Sequence, residues 1–137
     1  KVEDIHEFLV KLPLDYPKAT LPYRVTYQDS CHLANAQRIT EQPRQLIKSI
    51  RGVEFIELAT AATCCGGGGT YAITEREFSL RILQSKIDDL KKADVDIVTT
   101  ANPGCVIQLE YGIRRNKLPL KVCYVTDLLD EAYQRET

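Results

Sequence analysis

The spacing of hydrophobic positions changes period several times along the chain, and each change marks an element. Ile5, Phe8, Leu9 and Leu12 recur at helical spacing, and Pro13, Pro17 and Pro22 then break any regular run. Residues 1–22 are therefore predicted to form a short leading helix and a proline-rich linker. The period shifts at Arg24-Val25-Thr26-Tyr27-Gln28, a β-branched and aromatic run that ends in the polar turn Asp29-Ser30 and reads as the first strand. Pro43 suits the first turn of a helix whose apolar stripe is Leu46, Ile47 and Ile50 and which Gly52 closes.

Val53 to Leu58 gives a second strand, and the glycine loop Gly66 to Gly69 separates it from a helix carrying Leu80, Leu83, Ile87 and Leu90. Val95 to Thr99 is the third strand. Asn102-Pro103-Gly104 opens the next helix, with Val106, Leu109 and Ile113 on one stripe. Val122 to Val125 is the fourth strand, and Thr126-Asp127 is expected to cap a last helix containing Leu128, Leu129 and Ala132. Strands alternating with helices of this length predict an α/β fold over residues 23–137. The expected architecture is a four-stranded parallel, doubly wound, Rossmann-like sheet with helices on both faces, preceded by the short N-terminal helix.

Composition narrows the function classes. Eighteen basic and nineteen acidic residues leave a net charge of −1 without long runs of either sign, which argues against a nucleic-acid partner. No apolar stretch approaches the roughly 20 residues of a membrane helix, so no membrane span is expected. The chain begins Lys1-Val2-Glu3, contains no methionine and lacks a signal-peptide pattern, so it is expected to be a domain of a longer protein.

The five cysteines change the picture more. Their number is odd, which a closed disulfide framework does not favour, and metal or redox chemistry becomes the leading idea. Cys31 follows the first predicted strand, Cys64 and Cys65 the second, and Cys105 the third. Parallel strands present all their carboxyl ends on one edge, so topology alone gathers these four sulfurs into a candidate metal site. Cys123 sits inside the fourth strand and is expected to be a buried, small apolar residue.

The surroundings suit thiolates. Asn102 is expected to cap the helix that holds Cys105 in its first turn, so that open N–H groups and the helix dipole face the sulfur and lower its pKa. Gly66 and Gly67 let backbone amides approach the neighbouring sulfurs. The loop lacks a following Lys and any G-x-G-x-x-G context, which weighs against phosphate binding. His32 is a supporting residue, as a ligand, a proton carrier or a hydrogen-bonded loop residue. His6 receives no role. No nucleophile triad or carboxylate pair stands out, so no catalytic residues are assigned.

The tracts Asp29-Ser30-Cys31-His32-Leu33, Cys64-Cys65-Gly66-Gly67-Gly68-Gly69 and Ala101-Asn102-Pro103-Gly104-Cys105 resemble the C…CCG…CxxC pattern of the cysteine-rich CCG domain family. The likeness is greatest to the second CCG copy in the glycolate oxidase branch. The resemblance implies an iron–sulfur electron-transfer module held by Cys31, Cys64, Cys65 and Cys105. It also implies a parent subunit with a ferredoxin-like part and a first CCG domain, FAD-binding partner subunits, and a cytoplasmic location at the inner face of the cell membrane through those partners. The family's CxxC would place a cysteine at 102, where this chain has Asn102. Four remaining ligands suffice for one [4Fe–4S] cubane. Two other readings use the same cysteines: a zinc-binding or metal-free structural domain for subunit assembly, and a thiol–disulfide redox domain as in heterodisulfide reductase.

Overall fold

The computed structural model describes residues 3–12, 20–30, 34, 37–58, 60–61, 65 and 75–135. The elements run α1 (Ile5–Lys11), β1 (Arg24–Tyr27), α2 (Glu41–Lys48), β2 (Glu54–Phe55), α3 (Arg76–Ala93), β3 (Ile97–Thr100), α4 (Pro103–Arg115), β4 (Lys121–Tyr124) and α5 (Val125–Gln134). The four strands form one sheet in the order β2-β1-β3-β4, and every pairing is parallel. The predicted α/β architecture is therefore present.

Side-chain alternation sorts the core into two layers. Val25, Tyr27 and Ile97 face α2 and α5, where Leu46, Ile47, Leu128 and Ala132 cover them. Val98 faces the other way, onto Leu83, Ile87 and Leu90 of α3 and Leu109 and Ile113 of α4. Ile47, Ile87, Leu90, Leu109 and Leu128 are fully buried, each contributing about 1.5–3 kcal/mol of transfer free energy, so both layers are firmly anchored. Gly112 lets α4 approach α3 closely: a Cβ there would lie 2.8 Å from Ile87 Cδ1 and 3.0 Å from Leu83 Cδ1.

Several sequence expectations are corrected in detail. β2 is shorter than Val53–Leu58, because it is an edge strand paired with β1 on one side, and Leu58 turns into the α3/α4 layer. The leading helix forms, but Ile5, Phe8 and Leu12 are exposed, and His6, Leu9 and Val10 turn inward. Asp4 caps this helix, accepting from the His6 backbone N–H at 2.9 Å and contacting His6 Nδ1 at 2.8 Å, which satisfies the buried imidazole. The last helix begins at Val125, so Thr126 and Asp127 do not cap it from outside. Asp127 instead accepts from the Tyr124 N–H at 3.3 Å. Cys123 is only partly buried, because β4 is the opposite edge strand.

The amino-terminal pole of the sheet ties separate parts of the chain together. Thr20 bridges Arg51, Leu21 N–H donates to Arg51 O at 2.8 Å, and Leu21 is fully buried. Gly52, at φ +83°, is required there, since a Cβ would stand 2.3 Å from Thr20 Cγ2. Arg135 Nη2 donates to Tyr23 Oη at 2.9 Å, pinning the end of α5 beside the start of β1.

Candidate metal centre

In a sheet ordered 2-1-3-4 the winding direction reverses between β1 and β3, and the crevice beyond their carboxyl ends is where such folds bind ligands. Three of the four strand exits at this edge are tied together. The exit of β1 is tied to β3 by Gln28 N–H to Thr99 O (2.8 Å) and by Thr100 Oγ1 to Gln28 O (3.0 Å). It is tied to the β2–α3 connection by Asp29 N–H to Ala61 O (3.0 Å).

Cys65 and Cys105 both enter the apolar cluster between the sheet and α3/α4, with relative exposures of 2% and 9%. Gln108 of α4 donates to Cys65 O at 3.4 Å and to Ser79 Oγ of α3 at 3.1 Å, so one amide joins this cysteine to both helices. Cys105 occupies the first turn of α4. Asn102 is its N-cap, Pro103 lacks an N–H, and Asn102 Oδ1 accepts from Gly104 N–H (2.8 Å) and Cys105 N–H (3.4 Å). Val106 N–H donates to Asn102 O at 3.0 Å. The amides expected to be open toward the sulfur are thus taken by Asn102, and the helix dipole is what remains for a first-turn thiolate.

Cys31, His32, Cys64, Gly66 and Gly67 lie outside the described residues. Among the described residues no group of three or more His, Cys, Asp or Glu side chains could hold a metal ion. Cys123 belongs to the other layer, packed against the α2/α5 core, and burial raises its pKa to about 11. A thiol held neutral this way is a poor ligand at ordinary pH.

The sequence reading missed a charged group at this edge. Arg44 of α2 is buried and uses all five N–H donors. Its Nη1 and Nη2 grip Asp29 Oδ1 and Oδ2 at 2.9 and 2.7 Å, and its Nε and Nη2 reach Glu57 Oε1 and Oε2 at 2.8 and 3.0 Å. The fifth contact is Nη1 to Thr40 O at 2.7 Å. Its guanidinium carbon sits 5.1 Å from the Tyr27 ring centroid. The Asp29 bonds raise the Arg44 pKa, with burial opposing and Glu57 adding to the rise. At Tyr27 burial instead raises the pKa, Asp29 adds to it, and the phenol oxygen has no hydrogen-bond partner among the described residues. The available signal was position: Arg44 is one turn before Ile47 and so lies on the buried stripe of α2.

Soft sulfur donors from a loop and from the first turn of a helix, sharing one water-poor cluster at the switch point of a doubly wound sheet, define a class of thiol-bearing α/β domain suited to iron–sulfur, zinc or disulfide chemistry. Among such domains the sequence is specific. Residues 25–110 match the cysteine-rich domain family, and the chain belongs to that CCG family. It is 44% identical over 141 residues to the "probable glycolate oxidase iron-sulfur subunit" of Bacillus subtilis, covering 100% of this chain and 32% of that protein. It is 35% identical to one subunit of the fumarate reductase (CoM/CoB) of Methanothermobacter marburgensis (96% of this chain, 27% of that one). It is 29% identical to lactate utilization protein A of Geobacillus sp. WCH70 (95% and 55%). The chain thus spans between about a quarter and just over half the length of these relatives.

Proposed function

We propose that the chain is an iron–sulfur electron-transfer module of a 2-hydroxy-acid-oxidising flavoenzyme complex of the glycolate oxidase type, passing electrons from a flavin subunit onward. The observation that carries this reading is the burial of Cys65 and Cys105 in one cluster at the switch-point edge, in a chain so similar to an iron–sulfur subunit. Cys31, Cys64, Cys65 and Cys105 are the proposed ligands, and four thiolates match one [4Fe–4S] cluster. Such a cluster supplies one-electron redox chemistry. The chain's own contribution is to exclude water with Leu83, Ile87, Val98 and Leu109, to orient Cys105 through the Asn102 cap, and to hold Cys65 through Gln108. Asn102 stands where the family pattern has a cysteine and serves as that cap.

The proposal places residues 1–22 as a leading segment and residues 23–137 as the second of two cysteine-rich domains in a longer subunit. Its partners are the ferredoxin-like part and first cysteine-rich domain of that subunit, together with FAD-binding subunits. The location is cytoplasmic, at the inner membrane face through those partners. Among the described residues no helix is long and apolar enough to cross a membrane. Anaerobic purification with iron, sulfide and zinc analysis and electron paramagnetic resonance tests the reading. Iron and sulfide that fall when Cys65 or Cys105 is replaced by Ser support it; stoichiometric zinc without iron overturns it in favour of a structural role.

A further inference from the structure

Arg44 has no part in that ligand set, yet among the described residues it is the most heavily bonded side chain at the cysteine edge. Its two carboxylate partners come from different strands: Asp29 lies just beyond β1 and two residues before Cys31, and Glu57 lies just beyond β2 on the way to Cys64 and Cys65. Asp29 also donates its N–H to Ala61 O, so the two exits touch directly beside the guanidinium. Stability alone is a weak reason for this arrangement, because well-packed apolar side chains commonly replace a buried ion group without loss. A planar fork that must satisfy two carboxylates and a carbonyl at once does something an apolar trio does not: it fixes the distance and angle between the segments it joins.

We propose that Arg44 is a positioning residue for the metal centre, setting the separation of the β1 and β2 exits and hence of the cysteine-bearing segments that follow them. This rests on the metal-binding role proposed above for those cysteines. Lysine at this position keeps the charge and loses the fork. Arg44→Lys is therefore the informative change, with Glu57→Gln, which leaves the Asp29 pair intact, as the milder one.

Two readouts in the full-length protein decide the matter. The first is independent of metal: amide hydrogen exchange at Asp29, whose N–H bonds Ala61 O, against Gln28, whose N–H bonds Thr99 O. Arg44→Lys should lower protection at Asp29 by roughly tenfold or more and leave Gln28 near wild type. The second is the anaerobically reconstituted protein, where Arg44→Lys should release iron to a chelator roughly tenfold faster and alter the paramagnetic signal. Glu57→Gln should show the same changes in smaller degree, and it carries both measurements if Arg44→Lys does not fold. Unchanged exchange at Asp29, or equal losses at Asp29 and Gln28, overturns the proposal. So does unchanged iron release and spectrum in a folded variant. A wild-type protein that takes up no iron instead overturns the metal reading, and the exchange comparison then still decides whether Arg44 sets the two exits.

Discussion

The β2 exit is held from both faces of the sheet, and the two grips differ in kind. On the α2 side, Arg44 forks to Asp29 and Glu57 and so joins two strands. On the α3 side, the buried Lys86 ammonium donates to the Thr60 carbonyl and to Thr60 Oγ1 at 3.2 Å, while Asp89 accepts from Thr60 Oγ1 at 2.5 Å and from Thr60 N–H at 3.3 Å. This second grip joins one loop to one helix. A compact ammonium anchors a segment, whereas a planar guanidinium with two carboxylates sets the relation between segments. On the proposal above, the segment that carries Cys65 is thus placed partly by a charged group in the opposite layer.

Truncating each grip tests that contrast. Arg44→Leu leaves Asp29 buried without its cation and should cost about 3–5 kcal/mol in denaturant unfolding. Lys86→Met removes a donor from the Thr60 carbonyl and from Thr60 Oγ1 while Asp89 still serves Thr60, for a loss of about 1–3 kcal/mol. A Lys86 variant less stable than the Arg44 variant would reverse the ranking.

The α2/α5 layer should also report on itself on titration. Burial holds the Cys123 pKa at about 11, above the thiol's ordinary value, so its contribution is fully present below the ordinary value and is lost as pH rises through about 11. Stability should fall over that window by about 1–3 kcal/mol, and Cys123→Ala should remove this limb. The raised Tyr27 phenol adds a second decline beginning at higher pH, visible as tyrosinate absorbance, which Cys123→Ala leaves in place. An unchanged alkaline profile in Cys123→Ala would mean that the thiol is not held neutral by burial. The smallest effect is expected at the helix start beside Cys105, where Asn102→Ala should cost about 1 kcal/mol in thermal unfolding and Asn102→Asp much less.

Much of the fold was legible because its signals are local. The runs at Arg24, Ile97 and Lys121 pair in parallel, and Asn102-Pro103-Gly104 starts α4 as its residue types require. The inward face of α1 was not legible. A histidine satisfied by Asp4 turns into the protein in place of Ile5 and Phe8, and apolar spacing carries no sign of that bond. At the candidate site, the shared layer of Cys65 and Cys105 follows from topology, whereas Cys31 and Cys64 lie outside the described residues. Arg44 escaped because its partners stand 15 and 13 residues away, on segments that only the finished sheet brings together.

The pinning of Arg135 to Tyr23, with Thr20 against Arg51, places the end of α5 at the pole opposite the cysteine edge. The end of α5 and the start of β1 meet at the amino-terminal ends of the strands, the full length of the sheet away from Cys105. A reporter or tether attached at the end of α5 would leave from the pole of the domain opposite the edge that carries Cys65 and Cys105.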